Sequence, residues 1–175
     1  MKNSKKIRII SGEFGGRLID TPKTDATQPM GDRERMAIFN RLREEIPEKR
    51  VLDMFAGSGA LGIEALSLGA KSVDFVDKNP EAKRTIRLNL ASLKLENGNI
   101  VSEPAGKYDL IFMDPPYDNP QYELCAKIAG EFLADGGYLV LSHPASPEPP
   151  VFEGLELISD KKYAAAHIKI YQKNF

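Results

Sequence analysis

The 175-residue sequence contains one cysteine, two histidines and no tryptophan. The single cysteine, Cys125, cannot form an internal disulfide, which is typical of proteins from a reducing compartment. Its neighbours have a helical pattern, so we interpret Cys125 as a buried structural thiol rather than a nucleophile. The histidines, His143 and His167, have no metal-ligand spacing and no cysteine partners, and the sequence therefore predicts no metal site.

Long hydrophobic segments are also missing. No run approaches the roughly 18 apolar residues of a membrane-spanning helix, and no apolar segment follows the basic N-terminus as it would in a secretory signal. We therefore expect a cytoplasmic protein that does not bind membranes. The composition, 42% hydrophobic and 28% charged, is that of an ordinary globular protein, and the length fits one domain with a small appendage. We expect a monomer.

The formal net charge is only -1, but the charges are unevenly distributed. Residues 1–50 contain 12 basic and 8 acidic residues, whereas the remainder of the chain is acidic on balance. A basic end on a neutral body suits an electrostatic contact with nucleic-acid phosphates. A solvated tail would have the same composition, so charge alone leaves both interpretations open.

The first fifty residues predict a hairpin, a linker and a helix. Short apolar arms at 7–10 and 17–19 flank a glycine-rich turn and predict two antiparallel strands. Turn residues dominate 21–31, and an apolar stripe over 32–46 predicts a helix that ends before Pro47. The arginines of this helix are interleaved with glutamates, and we expect them to form ion pairs on a solvated face. These arginines are Arg33, Arg35, Arg41 and Arg43.

Strands and helices then alternate to the end of the chain. Strands are predicted at 50–55, 72–76, 99–101, 108–113, 138–142, 155–159 and 166–172, and helices at 61–68, 80–95 and 120–134. A turn at Gly136-Gly137 precedes the strand at 138–142. The alternation predicts an α/β fold, a doubly wound, seven-stranded and mostly parallel sheet with helices on both faces.

The predicted elements divide the chain into two parts. Residues 1–30 form the small N-terminal hairpin and linker, and residues 31–175 form a Rossmann-like domain. In such a domain, ligands bind beyond the carboxyl ends of the strands, near the point where the strand order reverses. Functional residues are therefore expected in the loops that follow the strands.

A glycine-rich loop follows the first strand of the predicted sheet. The segment Gly57-Ser58-Gly59-Ala60-Leu61-Gly62 matches the GxGxxG pattern of dinucleotide-binding proteins, so a nicotinamide cofactor is one interpretation. Asp53, just before the loop, favours S-adenosylmethionine, because a carboxylate can bind the ammonium group of that cofactor and would repel a pyrophosphate. Asp77, at the end of the next strand, can accept hydrogen bonds from ribose hydroxyls in either cofactor class.

A second motif, Asp114-Pro115-Pro116-Tyr117, directly follows the strand at 108–113. Its prolines lack N–H donors, so this turn presents mainly acceptors. The Asp114 carboxylate and the Pro115 carbonyl can hold both hydrogens of an exocyclic amine and stabilise the positive charge that develops on its nitrogen. Tyr117 offers a face on which a base can stack. Together the two motifs predict methyl transfer to the amino group of a nucleic-acid base.

The same residues carry a family resemblance. The segment 114–117 is similar to the (Asn/Asp/Ser)-Pro-Pro-(Tyr/Phe) signature of amino-group methyltransferases. The segment 51–70, the basic opening at 8–17 and the helix start at 32–40 resemble the RsmD-type family, which methylates guanine N2 in 16S ribosomal RNA. The resemblance covers nearly the whole chain. It implies a Rossmann-like class I S-adenosylmethionine-dependent methyltransferase whose partner is the small (30S) ribosomal subunit.

The resemblance also implies roles for particular residues. The base site comprises Asp114, Pro115, Pro116 and Tyr117. The cofactor site comprises Asp53, Phe55, Ala56, Gly57, Ser58, Gly59, Asp77, Lys78, Asn79 and Glu103. The candidate RNA contacts are Lys5, Lys6, Arg8, Arg17 and Arg33.

Two segments depart from the family pattern. Gln28-Pro29-Met30 stands where the family usually has Arg-Pro-Thr. The stretch 102–107 is shorter than usual, so that a short helix beside the adenine is trimmed and Glu103 replaces the usual acid. Alternative functions are methylation of adenine N6 in DNA, methylation of a protein glutamine, and NAD-dependent oxidoreduction or non-catalytic nucleotide binding.

Overall fold

The computed structural model describes residues 5–24, 29–164 and 166–175 of the chain. Predictions that involve residues 1–4 and 25–28 lie outside the described residues. They include the departure at Gln28, the most N-terminal basic residues and part of the predicted linker.

The described residues form the hairpin and the alternating elements that the sequence predicts. The strands are β1 (Lys6–Arg8), β2 (Leu18–Asp20), β3 (Arg50–Met54), β4 (Ser72–Val76), β5 (Gly98–Ile100), β6 (Tyr108–Met113), β7 (Leu133–His143), β8 (Leu155–Lys162) and β9 (His167–Lys173). The helices are α1 (Asp32–Leu42), α2 (Ala60–Ser67), α3 (Pro80–Ser92) and α4 (Tyr122–Phe132).

In the described part of the chain, seven strands form one sheet in the order β5-β4-β3-β6-β7-β9-β8. The first five are parallel, whereas β9 runs antiparallel to β7 and to β8. The strands β1 and β2 pair separately as an antiparallel hairpin. The predicted fold class, a seven-stranded, mostly parallel sheet with a small N-terminal hairpin, is confirmed.

Helices cover both faces of the sheet, which explains why the central strands are apolar at almost every position. On one face, Val51, Phe75 and Phe112 belong to a core cluster that also includes side chains of α1, α2, α3 and the hairpin. On the other face, Leu52 and Ile111 belong to a cluster that includes side chains of α4. Successive residues of a strand therefore enter opposite cores.

Several element boundaries differ from the predicted ones. Helix α1 ends at Leu42 and continues only as a 3-10 turn over Arg43–Glu45. Strand β7 begins at Leu133, so the predicted turn at Gly136-Gly137 lies inside the strand. There the register with β6 is irregular between Tyr108 and Leu110, and Gly136 has a φ of 74°. A glycine at positive φ allows a β-bulge, in which extra residues of one strand are left unpaired while the strand continues.

The single thiol belongs to α4 and is fully buried. Cys125 lies in the second core cluster, and burial raises its pKa to about 12. The interpretation as a structural thiol is confirmed, since a protonated, inaccessible thiol is a poor nucleophile. In the residues described here, no helix combines the length and the apolar character needed to cross a membrane.

A buried ion pair joins the hairpin to the domain. Arg35 of α1 is only 1% exposed, and its guanidinium donates to the Glu64 carboxylate of α2 over 3.0 Å and to the Arg8 carbonyl over 3.1 Å. The Glu64 carboxylate also accepts the Ile10 N–H at 2.6 Å. Burial nevertheless raises the pKa of Glu64, even though these donors oppose the shift. Arg35 and Glu64 therefore hold three separate chain segments together.

The expectation of a solvated ion pair is wrong for Arg35, although Arg33, Arg41 and Arg43 are exposed. Arg35 falls in the same helical stripe as Ile38, Phe39 and Leu42, which faces the core. Its partner Glu64 lies in another helix, so the local pattern of charges did not reveal it.

Replacing Arg35 with alanine should leave the Glu64 carboxylate buried without its cation. We expect the free energy of unfolding to fall by about 3–5 kcal/mol, as for other broken buried ion pairs. Denaturant unfolding of Arg35→Ala, followed by circular dichroism, measures the loss. The exposed Arg41→Ala should cost less than about 1 kcal/mol, and equal losses in the two variants would contradict the anchoring role of Arg35.

Candidate active site

The two sequence motifs emerge side by side at the carboxyl edge of the sheet. Strands β3 and β6 are parallel neighbours, and Met54 is paired with Met113. The glycine-rich loop after β3 and the turn that begins at Asp114 therefore leave the same edge at the same height. The strand order also reverses here, because β4 lies on one side of β3 and β6 on the other. This is the position at which open α/β sheets bind ligands.

Both motifs line one cavity of about 1290 Å³. Its residues come from the loop after β3, the loop after β4, the segment 102–104, the turn after β6, the inner face of α4 and the linker beside the hairpin. The predicted site residues among them are Asp53, Phe55, Ala56, Gly57, Ser58, Asp77, Lys78, Asn79, Glu103, Asp114 and Pro116.

The backbone of the glycine-rich loop opens toward this cavity. Phe55 has a φ of 61°, unusual for a residue with a side chain, and Gly57 has a φ of 57°. A Cβ on Gly57 would meet no atom within 4 Å, so a ligand can approach this part of the backbone closely. By contrast, a Cβ on Gly62 would lie 2.3 Å from the ring of Phe75, so that glycine serves the packing of α2 on the sheet.

Asp53 is a buried carboxylate with one donor. It is 1% exposed, and its Oδ2 accepts the Gly62 N–H at 2.9 Å. Burial raises the pKa of Asp53 well above its usual range, and the nearby carboxylates of Asp114 and Asp77 raise it further. A cationic ligand group in the cavity would relieve both effects, because it would supply the missing opposite charge.

Asp77 organises the loops around it. Its Oδ2 accepts the Gly57 N–H at 2.8 Å, and its Oδ1 accepts the Asn79 N–H at 2.9 Å. Each oxygen keeps a second lone pair for a ligand hydroxyl. The Asn79 side chain accepts N–H bonds from Glu81 and Ala82 and so caps α3, while Lys78 is exposed at the cavity edge.

The turn after β6 is tied to the end of β7. Met113 is paired with Leu141, so Ser142 lies beside Asp114. Ser142 is fully buried, and its hydroxyl forms a short hydrogen bond with the Tyr117 hydroxyl. Burial raises the pKa of Asp114 to about 6, against the opposing effect of a hydrogen bond from Ser142.

Pro115 and Tyr117 of the turn are not part of the lining of the large cavity, unlike Asp114. Burial, with the charges of Asp114 and Glu34, raises the pKa of Tyr117 to about 12. Tyr117 is half-buried against the first core cluster and Pro115 is buried, and neither lines the large cavity. The Tyr117 hydroxyl thus stays protonated at neutral pH and braces the turn through Ser142.

Ser142 is the residue that sequence reasoning missed. It was assigned only to the end of a strand, because a serine there has no distinctive spacing. The parallel pairing of β6 with β7 identifies Ser142, because the ends of adjacent parallel strands lie together at one edge of the sheet. Asp114 follows β6 and Ser142 is the penultimate residue of β7.

The cavity wall near Glu103 is an irregular segment. Residues 101–107 contain bends and no helix, as the short stretch in the sequence predicted. Glu103 is exposed and lines the cavity. Leu124 and Ile128 of α4 line the cavity as well and give it an apolar surface.

The basic residues expected to contact RNA are spread over the molecule. Lys5 lines the large cavity, but Lys6 pairs with Asp20 across the hairpin and Arg8 donates to the Gly16 carbonyl at 3.1 Å. Arg17 reaches the Ser92 carbonyl, 3.5 Å away, at the far end of α3. Because α3 begins at the carboxyl edge of the sheet and runs away from it, Arg17 lies toward the opposite edge.

Arg33 lies apart from the hairpin residues and lines a second cavity, between α1 and the end of β8. Across the residues with described coordinates, no group of three or more histidine, cysteine, aspartate or glutamate side chains is arranged to hold a metal ion. His143 is buried, packs edge-on against His167 and does not line the large cavity.

Sequence comparison gives two consistent matches. The family model described as Conserved hypothetical protein 95 matches residues 7–172. Ribosomal RNA small subunit methyltransferase D from Escherichia coli K12 is 32% identical over 163 residues, which cover 89% of this chain and 80% of that protein.

Structural comparison agrees. The Escherichia coli protein yhhF superposes with a TM-score of 0.87 at 29% identity, over 97% of this chain and 99% of that one. The SMU.776 protein, solved in complex with SAH, superposes with a TM-score of 0.74 over 98% of this chain and 56% of that one. At 13% identity the latter likeness concerns the fold alone.

Removing the Ser142 hydroxyl should raise the pKa of Asp114 above about 6, because a hydrogen bond that stabilises the carboxylate is lost. Carbon-detected NMR titration of the Asp114 side chain in Ser142→Ala measures the shift. Ser92→Ala removes an exposed hydroxyl at the end of α3 and should leave this titration unchanged. An unaltered Asp114 titration in Ser142→Ala would show that the hydroxyl does not support the carboxylate.

Proposed function

The chain belongs to the ribosomal RNA small subunit methyltransferase D family, and we propose that it transfers a methyl group from S-adenosylmethionine to the N2 amine of a guanosine in 16S ribosomal RNA. One observation supports this proposal above the others. The glycine-rich loop after β3 and the acceptor-rich turn after β6 open onto one cavity at the reversal point of the sheet. Methyl transfer needs these two places to be adjacent, because the methyl donor and the amine must meet in line.

The residues of the cavity fit S-adenosylmethionine. Asp53 would bind the ammonium group, and the open backbone at Gly57 would accept close contact with the amino-acid part of the cofactor. Asp77 would accept the ribose hydroxyls, and Glu103 with Ile128 would flank the adenine. A protein of the same fold was solved in complex with SAH, which supports S-adenosylmethionine as the cofactor but assigns no residue roles. When bound, the cofactor supplies an electrophilic methyl group on a sulfonium.

The turn at 114–117 would bind the target amine. The Asp114 carboxylate and the Pro115 carbonyl would each accept one N2 hydrogen, which directs the nitrogen lone pair toward the methyl group. These acceptors stabilise the positive charge that develops on N2 as the new C–N bond forms and the C–S bond breaks. The Asp114 carboxylate is then the nearest group to take the proton that N2 must lose. With a pKa of about 6, most of it is ionised at neutral pH.

Ser142 and Tyr117 would act as positioning residues. The Ser142 hydroxyl bonds to the Tyr117 hydroxyl, and Ser142 also opposes the rise in the pKa of Asp114, so the turn is linked to the end of β7. A turn held in this way keeps its acceptors aligned before the base arrives, which lowers the cost of reaching the reactive geometry. The Tyr117 ring packs against the first core cluster and does not line the large cavity, so base stacking on it stays a prediction.

The alternative substrates are weaker. Adenine N6 in DNA is a weaker candidate, because the relative that is 32% identical over 89% of this chain is named as a ribosomal RNA methyltransferase. Methylation of a protein glutamine would use the same turn, so only product analysis separates it from methylation of a base. A nicotinamide cofactor would place its pyrophosphate near the Asp53 carboxylate, which would repel it.

Nucleoside analysis tests the substrate directly. Mass spectrometry of 16S ribosomal RNA from cells with and without this gene should show one N2-methylguanosine that depends on the gene. In vitro, the protein should transfer labelled methyl groups to small subunits from the deleted strain. Asp114→Ala should reduce this transfer by at least about 100-fold, since an acceptor aimed at the developing charge is lost. Transfer to protein or DNA but not to RNA would reject the proposed substrate.

The rate should depend on pH through Asp114. The carboxylate form binds the amine hydrogens, so kcat/KM for the RNA at saturating cofactor should fall about tenfold per pH unit as the pH drops below about 6. Asp114→Asn retains a carbonyl acceptor and has no group to titrate. Its kcat/KM should be lower near neutrality but flat over the same range, and a wild-type slope in Asp114→Asn would assign the titration to another group.

Cofactor binding should depend on the charge of Asp53. Asp53→Asn keeps the shape of the side chain but loses the charge that would pair with the ammonium group, so we expect SAH affinity to fall roughly 10- to 100-fold. Isothermal titration calorimetry measures this loss, with Lys71→Ala at the opposite edge as the control. Tight NADH binding without SAH binding by the wild type would favour an oxidoreductase instead.

A further inference from the structure

A second cavity, which we name the α1–β8 cavity, lies between the outer face of α1 and the end of β8. Its volume is about 600 Å³. It is lined by Arg33, Glu34, Met36, Ala37, Asn40, Lys161, Lys162, Tyr163 and Ala164. The roles assigned to the large cavity do not use it.

Positive charge dominates this cavity. Arg33, Lys161 and Lys162 contribute three cations against the single carboxylate of Glu34. Among the residues described, none of these three cations takes part in an ion pair. The nearby Asp160 carboxylate is paired with Lys169, whose Nζ lies 2.8 Å from it. The hydrogen bond from Lys169 lowers the pKa of Asp160, and the charge of Lys162 contributes less. Unpaired cations around a concave surface favour an anionic ligand.

An aromatic ring accompanies the cations. Tyr163 is half-buried, and the Arg33 guanidinium lies 5.9 Å from the centre of its ring. The Tyr163 N–H donates to the Ala166 carbonyl at 2.8 Å, which holds the turn between β8 and β9. A ring beside several cations is the combination that single-stranded nucleic acid uses, with phosphates on the cations and a base stacked on the ring.

The α1–β8 cavity lies at the same edge of the sheet as the base site. Lys162 is paired with His167, His167 is paired with His143, and His143 directly follows Ser142. Glu34, which lines the cavity, is also one of the charges that raise the pKa of Tyr117. The cavity therefore lies toward the same edge as the turn at 114–117, with β7 and β9 between β6 and β8 in the sheet.

We propose that the α1–β8 cavity binds the RNA strand that flanks the target guanosine, with phosphates on Lys161, Lys162 and Arg33 and a neighbouring base on Tyr163. The inference rests on the proposed function for the identity of the strand. It assigns the main backbone contact to the end of β8 and the start of α1, whereas Arg17 of the hairpin points toward the opposite edge. A nucleotide turned out of its stack into the base site would leave its neighbours over this cavity.

A binding experiment tests the cavity without requiring catalysis. The probe is a short, 5′-fluorescein-labelled single-stranded RNA, and the anisotropy is followed at several salt concentrations. Lys161→Ala/Lys162→Ala should weaken binding at low salt by roughly tenfold or more. It should also reduce the slope of log K against log salt by about 1.4, because each lost phosphate contact removes about 0.7 from a single-strand slope. Lys49→Ala/Lys71→Ala removes two exposed lysines from the amino edge and should change neither quantity.

The aromatic contact has its own pair of variants. Tyr163→Leu should weaken RNA binding about 5- to 100-fold, as for other stacked bases, while Tyr163→Phe should retain binding. Circular dichroism melting separates a loss of stacking from a loss of folding. With 30S subunits as methyl acceptor, the lysine variants should raise KM and leave kcat nearly unchanged.

Each outcome bears on a distinct claim. If the lysine and Tyr163 variants bind the labelled RNA as the wild type does, with the same salt slope, the inference is overturned and the proposed function stands. A loss of methylation on 30S subunits with unchanged RNA binding would also overturn it, since the cavity would then contact a ribosomal protein. If the wild type methylates no RNA but the variants lose RNA binding, the cavity assignment survives and the proposed function fails.

Discussion

The parallel pairing of β3 with β6 is the constraint on which the site depends. It brings two chain segments sixty residues apart to one edge, with Met54 beside Met113, and so places Asp53 and Asp114 on one cavity. Asp53 is buried there and Asp114 is half-buried, and the charge of Asp114 contributes to the raised pKa of Asp53. Two poorly solvated carboxylates on one cavity are electrostatically costly, and this is the setting in which a cationic ligand gains most.

The sequence predicted what local patterns determine. Apolar runs of strand length located β4 and β6 to the residue, and the motifs after β3 and β6 were recognised as chemistry because each carries its meaning in a few consecutive residues. Contacts between segments that are distant in the sequence could not be predicted. Arg35 looked like one more exposed helical arginine until Glu64 and the Arg8 carbonyl surrounded it, and Ser142 had no distinguishing feature until β7 was paired beside β6.

The basic residues illustrate a different limit. Composition marked the N-terminal fifty residues as basic, but only the fold decides where each charge points. Lys6 is neutralised by Asp20 and Arg17 reaches the end of α3, whereas Arg33 joins Lys161 and Lys162, which are more than a hundred residues away in sequence. A positive surface near the base turn is thus assembled from the first helix and the last hairpin of the sheet.

The short segment between β6 and α4 connects two walls of the proposed site. Asp114 holds the amine in our proposal, and only a few residues later α4 begins at Tyr122 and supplies the apolar wall through Leu124 and Ile128. Any shift of α4 would therefore be felt by donor and acceptor at once. In our proposal, departure of the spent cofactor and release of the modified base would then be mechanically coupled through α4.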